Sequence, residues 1–458
     1  MGIFEIFDWI YSFKDETKVC LQELNSDLKR DVNIKKVDRG FFLKLDYNYF
    51  KLTYNKKSNF IVSHNSFKIK VNHYLIRSHL HYLENIEAYI FQSLSFNENA
   101  EKFHCYFSKT DDSFLISFFE GSLIRDFQIN IDNFKFNIST CQISEKIGHT
   151  FLLIECKNKI NFNKFKHYVN NIISSIAFFS GKFYKNEEFY FQSKFEDFSK
   201  NTEIFYRSSE KKYSFPKPFT KFPNEWNWKI PEDFKIVDNL SEKYSSNINK
   251  IIFCNLVELN IAKPKIYFSL RMFLFYFYDY SQISRVAMMF VILETICEEF
   301  NKDLNKDLNT EFIKKNNKKE FGINTLSRIK DKIDVEDFEI LKDIVENTDI
   351  KLTNNFINFE KTFSGLKIIL SNYDKAIFKN RNDFFHGRII PNPTIIDCEE
   401  DFNNLEMKYD YIAYRLYVLI SKLILKKIGY NGYLINYPKL FEDYNEMNLK
   451  EPYFIELK

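Results

Sequence analysis

The chain has 458 residues, which exceeds the size at which a single hydrophobic core keeps growing, so two domains are expected. Its 65 basic and 62 acidic residues leave a net charge of +3, which argues against a protein that wraps long nucleic acid through bulk positive charge. The seven cysteines are scattered and never spaced as Cys-x-x-Cys, so neither a disulfide framework nor a structural zinc site is expected.

The sequence offers no segment suited to entering or crossing a membrane. Glu5 and Asp8 stand where a secretory signal carries basic residues, so no leader is expected. The longest wholly apolar run, 286–293, is far shorter than the ~18 residues that a membrane-spanning helix needs. Together with reduced cysteines, these features predict a cytoplasmic protein without a membrane partner.

The first half of the chain is predicted to be rich in β-strands. Short segments of Phe, Ile, Val and Tyr alternate with clusters of Asn, Asp, Ser and Gly, which is typical of strands and turns. In the clearest case Phe134, Phe136 and Ile138 would share one face of a strand. Strands are expected at 41–54, 60–71, 88–95, 102–108, 114–119 and 127–139. This spacing predicts a sandwich or jelly-roll-like pair of sheets, interrupted by one helix at 163–179.

A connector is predicted between the two halves. Neither the strand period nor the helix period persists over 193–228, where Pro216, Pro218 and Pro223 lie among lysines and aromatic residues. The predicted organisation is therefore a β-rich domain over 1–195, a connector over 196–245 and an α-helical domain over 246–458.

The second half is predicted to be helical. In the first clear helix, apolar residues recur in steps of four and three, at Val286, Phe290, Leu293, Cys297 and Phe300. Other apolar periods predict a hairpin with arms near 326–333 and 338–345, a helix running from 366 towards 389, and a long helix over 409–423. Gly429 is a suitable stop for the last of these. Helices of this length predict an α-bundle, and the whole chain an α+β fold.

Seven of the eight histidines lie at or before position 167, and His386 is the single histidine in the rest of the sequence. It lies in a distinctive polar segment. Arg381, Asn382 and His386 form the pattern Arg-Asn-x-x-x-His. This pattern, on a helix of a C-terminal bundle, resembles the signature of the HEPN superfamily of ribonucleases. The β-rich first half makes the chain similar to the ApeA-type anti-phage HEPN proteins of bacteria. The likeness covers roughly 280–430 by motif and the first half by architecture alone.

The spacing of the motif bears on how its residues could cooperate. Asn382 and His386 are four residues apart and share a helix face, so the amide can hold the imidazole in one tautomer. Arg381 lies about 140° from His386 around the same helix, so one helix does not direct both at one atom. Two copies facing each other across a two-fold axis would do so. The resemblance likewise implies a homodimer with a composite site.

The resemblance implies a metal-independent endoribonuclease that has no cofactor. An RNA 2′-hydroxyl would attack the adjacent phosphate and leave a 2′,3′-cyclic phosphate. His386 would transfer protons, since an imidazole with a pKa of about 6.5 suits that role at neutral pH. Arg381 would stabilise the charge of the phosphorane with its planar guanidinium. No metal is needed because the nucleophile is already part of the substrate.

Three further residues could support this site. By analogy with the family, Glu294 holds Arg381; the alternative is a glutamate at the edge of the apolar stripe, in water. Asp383 and Arg388 flank the motif and are candidate RNA contacts.

In the first half, His79 and His81 could bind a metal ion together from one face of a strand. A pair of surface histidines is favoured instead, because no complete set of metal ligands lies nearby.

The resemblance therefore implies an abortive-infection toxin. Its β-rich domain would sense a phage-encoded trigger or restrain the nuclease, and its bundle would cleave RNA, with a tRNA loop as one candidate substrate. The alternative is a non-catalytic HEPN bundle that dimerises or binds a nucleotide or partner, beside a β-sandwich recognition domain. A third hypothesis keeps an enzyme but makes the bundle a nucleotide-handling domain.

Overall fold

A computed structural model describes part of the chain. The residues it describes are 5, 10, 17–23, 29–37, 40–46, 59–64, 67–72, 85–90, 99–110, 126–142, 150–199, 202–214, 216–220, 240–246, 248–276, 282–304, 338, 339, 342, 355–385, 399–441 and 449–458. The chain divides into two compact units: 1–262 with 428–435 and Lys458, and 263–427 with 436–457.

Twelve described strands form one connected sheet in the first unit. They are β1 Thr17–Glu23, β2 Lys29–Val37, β3 Gly40–Asp46, β4 Asn59–His64, β5 Phe67–Asn72, β6 Asn85–Ile90, β7 Lys102–Thr110, β8 Asp126–Ile131, β9 Phe134–Gln142, β10 Thr150–Ile160, β11 Lys182–Ser193 and β12 Thr202–Ser214. Their order is β6-β3-β2-β1-β4-β5-β12-β11-β7-β10-β9-β8. Neighbouring strands are antiparallel except for the parallel pair of β5 and β12.

The sheet folds back on itself, so that strands far apart in its order share one core. The rings of Phe41 on β3 and Tyr206 on β12 meet edge to face with centroids 5.0 Å apart. Lys36 on β2 donates to Glu187 on β11 at 2.5 Å. Such packing resembles a sandwich, but the predicted pair of sheets is wrong in one respect: the pairing of β5 with β12 joins both halves into one sheet.

A 19-residue helix, α1 (Phe162–Ser180), follows β10, close to the predicted bounds of 163–179. Asn161 caps its start by accepting from the Lys164 amide at 2.8 Å, and Gly181 ends it with a φ of 69°. Its Phe162 packs against Tyr190 of β11 with centroids 5.5 Å apart. The predicted helix is thus confirmed.

Several strand predictions need correction. The segments 60–71 and 127–139 each contain two strands, and β12 lies inside the predicted connector. β10 and β11 were missed because strands buried on both faces lack the polar alternation of a half-exposed strand. Phe136 and Ile138 of β9 are buried as the period-two pattern predicts. The predicted strand at 114–119 lies outside the described residues.

The buried His104 of β7 makes the stability of the first unit depend on pH. Its Nε2 lies 3.0 Å from the Ile160 carbonyl oxygen, and its ring stacks on Phe165 with centroids 5.0 Å apart. Burial lowers the pKa of His104 from 6.5 to about 4. The folded state therefore keeps a neutral imidazole in a range where the unfolded chain binds a proton.

We expect the free energy of unfolding to fall by about 3 kcal/mol through His104 as the pH drops from about 6.5 to 4, because each pKa unit corresponds to about 1.4 kcal/mol. The contribution is constant above and below this window. In urea unfolding, the free energy of unfolding should decrease less between pH 7 and pH 4.5 in His104→Gln than in wild type. An equal decrease in both proteins would contradict this prediction. His167→Gln, at a less buried histidine, serves as the comparison.

The remaining described helices and strands lie beyond the sheet. They are α2 Leu240–Tyr244, α3 Lys250–Ala262, α4 Pro264–Tyr276, α5 Gln282–Leu304, α6 Asn355–Gly365, α7 Asn372–Phe385, α8 Glu399–Lys427, β13 Gly432–Ile435, α9 Tyr437–Leu440 and β14 Phe454–Leu457. In the second unit α5 packs against α4, α6, α7 and α8. None of the helices that the structure describes has both the length and the apolar composition of a membrane span.

Two predicted helices of this unit are confirmed. The apolar stripe of α5 is buried at all five predicted positions, and α8 contains the whole predicted helix over 409–423. Gly429 follows α8 with a φ of 82°, as suits a residue just past a helix end. The predicted hairpin near 326–345 lies almost wholly outside the described residues.

The predicted helix from 366 towards 389 begins too early. Residues 366–371 form a connection in which Lys367 has a φ of 58° and Ile369 is 90% exposed. The helix starts at Asn372 because Ser371 and Asp374 form a reciprocal cap. The Asp374 amide donates to Ser371 Oγ at 3.1 Å, and the Ser371 amide donates to Asp374 Oδ2 at 2.9 Å.

Candidate functional site

The structure brings together two of the residues predicted for the site, Arg381 of α7 and Glu294 of α5. The Arg381 Nε donates to Glu294 Oε1 in an ion pair. The side chains are 22% and 28% exposed, so solvent reaches both. Of the two arrangements considered for Glu294, the structure thus shows contact with the arginine. A charge-assisted bond to Nε fixes the plane of the guanidinium.

The packing of both helices explains how this contact forms. Phe290 and Leu293 of α5 are buried, and Glu294 follows them at the edge of the buried stripe. On α7, Phe378 packs against Phe359 of α6 with ring centroids 4.7 Å apart. Arg381 lies about one turn after Phe378, on nearly the same side of α7. Its long side chain can therefore extend from the apolar contact to the solvent-exposed edge of that contact.

The other predicted site residues are only partly described. Asn382 and Asp383 lie within α7, but only their backbone is described; His386 and Arg388 lie outside the described residues, as do His79 and His81. His386 follows directly after the last residue of α7. The shared helix face of Asn382 and His386 therefore stays a prediction.

Cys297 lies one turn beyond Glu294 and does not supply a rival nucleophile. Burial raises the pKa of the Cys297 thiol to about 12, with the negative charge of Glu294 acting in the same direction. The thiolate, which is the reactive form, is therefore scarce at neutral pH. The arrangement of charged groups here suits the stabilisation of an anion by Arg381 rather than attack by sulfur.

Sequence reasoning missed a buried ionic cluster in the same unit. Arg415 of α8 and Asp374 of α7 are each 1% exposed, and they form an ion pair of 3.5 Å. Glu451 pairs with the same arginine at 2.8 Å. One local signal was readable beforehand, because Ser371-x-x-Asp374 matches the pattern of a helix cap.

The resemblance to the HEPN superfamily stays a prediction from the residues of this chain. They are an Arg-Asn-x-x-x-His sequence that begins near the end of a helix, and a glutamate on a neighbouring helix that contacts its arginine. A search of protein-family models, curated proteins and solved structures finds no match to the chain.

Proposed function

We propose that the chain is a metal-independent endoribonuclease of the HEPN type, in which Arg381 and His386 act on one phosphodiester. The observation that supports this proposal most is the ion pair between Arg381 and Glu294. A carboxylate on the Nε edge orients the guanidinium, and partial exposure leaves the pair accessible to an anionic substrate.

The proposed reaction is an internal transfer at phosphorus. The RNA 2′-oxygen bonds to the adjacent phosphorus while the bond from phosphorus to the 5′-oxygen breaks. One proton leaves the 2′-hydroxyl and one reaches the departing 5′-oxygen, and His386 carries out one of these transfers. Arg381 stabilises the extra negative charge on the phosphorane, and Asn382 orients the imidazole.

The active form is proposed to be a homodimer. Arg381 and His386 differ by about 140° around α7 if the helix continues to the histidine, so a composite site from two copies brings them together best.

The β-rich unit is proposed to sense a phage-encoded trigger. Cleavage of RNA, with tRNA as a candidate substrate, would then halt growth of the infected cell. Asp383 and Arg388 are proposed as RNA contacts.

The chemistry of the products tests this function. We expect the purified chain to cleave RNA at an undiminished rate in excess EDTA and to leave 2′,3′-cyclic phosphate and 5′-hydroxyl ends. The reason is that the nucleophile belongs to the substrate and the charge is stabilised by Arg381. A matched RNA with 2′-deoxyribose at the cleaved position should remain intact. End-group analysis by mass spectrometry measures both outcomes.

Other results would contradict the proposal in distinct ways. Cleavage of the 2′-deoxy substrate, or 3′-hydroxyl ends, would show that water attacks the phosphorus. RNA binding without any cleavage, with phage proteins added as well as without them, would favour the non-catalytic alternative, in which the helical unit dimerises or binds a partner.

A further inference from the structure

A buried network of charges joins the start of α7 to α8 and to the C-terminal segment of the second unit. Arg415 Nη1 donates to Glu451 Oε1 at 3.0 Å, and Nη2 donates to the Tyr411 hydroxyl at 3.3 Å. The guanidinium also lies 5.5 Å from the centroid of the Tyr373 ring. Burying an arginine so deeply requires opposite charges nearby, although Arg415 Nε itself has no hydrogen-bond partner among the described residues.

The network continues past Arg415 on both sides. Glu451 accepts from Asn436 Nδ2 at 3.3 Å, and the backbone amide of Asn436 donates to the Tyr453 carbonyl at 2.9 Å. Lys422 lies about two turns along α8 from Arg415 and is 6% exposed. Burial lowers the pKa of Lys422, with the nearby Arg415 acting in the same direction.

Asp374 connects this network to the motif helix. One carboxylate oxygen, Oδ2, accepts from the Ser371 amide and caps α7, while Oδ1 faces Arg415 at 3.5 Å. Arg381 lies about two turns after Asp374, and two turns return nearly to the same side of a helix. The contact of Asp374 with Arg415 of α8 therefore lies on nearly the same side of α7 as Arg381.

We infer that Asp374 and Arg415 are positioning residues that fix α7 so that Arg381 lies correctly for catalysis. This inference rests on the proposed nuclease function. Removal of the ionic link leaves the cap and the apolar contacts of α7 in place, so the helix persists but moves relative to α5. A displacement of about 1 Å at a catalytic group is enough to lower a rate by up to 10²-fold.

Asp374→Asn is the variant that tests this, because an amide oxygen still caps α7 while the charge facing Arg415 is lost. We expect kcat for RNA cleavage to fall about 10- to 100-fold with little change in KM. Hydrogen exchange of the backbone amides over 372–385 should become about tenfold faster, whereas the amides of 416–427 should keep their rates.

Asp303→Asn is the matched control. Asp303 of α5 also forms two ion pairs in this unit, at 2.7 Å to Lys263 and 2.9 Å to Lys427, and neither of these lysines lies on α7. This variant should lower the melting temperature without changing the kcat of the folded protein or the exchange of 372–385.

The outcomes separate the inference from the function beneath it. If wild type cleaves RNA and Asp374→Asn keeps its kcat and its exchange rates over 372–385, the inference is wrong and the nuclease stands. The same holds if kcat falls only in proportion to the unfolded fraction measured by thermal melting. If wild type cleaves no RNA even with phage proteins added, the proposed function fails, and unchanged exchange over 372–385 in Asp374→Asn would then also refute the anchoring of α7.

Discussion

Substitution of His386 by alanine is expected to lower the rate of RNA cleavage by about 10²- to 10⁴-fold, the usual contribution of a general acid or base. The loss should appear in kcat, because the imidazole transfers a proton in the transition state and binds the ground-state RNA only weakly. Single-turnover cleavage of a labelled RNA measures it. In cells, the variant should no longer halt growth during phage infection.

Two controls show whether the loss arises at a composite site. His167→Ala, a histidine of α1 in the first unit, should cleave RNA like wild type. A mixture of Arg381→Ala and His386→Ala chains should regain activity, because one of the two sites of a mixed dimer then has both groups. If His386→Ala cleaves RNA as wild type does, the nuclease proposal is wrong, and if the mixture stays inactive, the shared site is wrong.

Helices could be predicted from the sequence wherever the spacing of apolar residues within a short segment decides which side of the helix is buried. The apolar positions of α5 are three and four residues apart, so a short window contains the whole signal, and all of them are buried as expected. The start of α7 was missed because apolar residues at 366, 369 and 370 extend the period into the connection before it. The cap formed by Ser371 and Asp374 overrides that period.

The sheet was harder to predict because its partners are distant in sequence. β10 is buried along most of its length, so its apolar run does not alternate, and β12 ends in a polar stretch that reads as a loop. The pairing of β12 with β5 joins residues near 203 with residues near 68. No local pattern encodes such a pairing, although it decides whether there is one sheet or two.

The residues of the candidate site could likewise be predicted where the signal is local in the sequence, and not where the contact joins distant positions. The motif residues could be read from the sequence because three of them lie within six positions. The contact of Arg381 with Glu294 spans 87 positions and was expected only by analogy with a family. The link from Asp374 through Arg415 to Glu451 had no such analogy, and a charged residue inside the apolar period of α8 gives no sign of which groups neutralise it.

Arg381→Lys is expected to lower the cleavage rate by about 10²- to 10³-fold while RNA binding changes little. Lysine keeps the positive charge but loses both the Nε that Glu294 accepts from and the planar pair of donors suited to a phosphorane. Single-turnover rates measure the first effect, and a binding titration in the His386→Ala background measures the second. Arg271→Lys on α4 makes the same change elsewhere in the unit and should leave the rate unaltered.

Glu294→Gln then separates orientation from charge. The amide oxygen can still accept from Nε, but more weakly than a carboxylate, so a loss of about tenfold or less is expected. If Glu294 acts through the guanidinium alone, the double variant with Arg381→Lys should be no slower than Arg381→Lys alone. Additive losses would mean that Glu294 contributes on its own, for instance by contacting RNA. An Arg381→Lys chain as fast as wild type would mean that a point charge suffices and that the planar guanidinium has no part in the reaction.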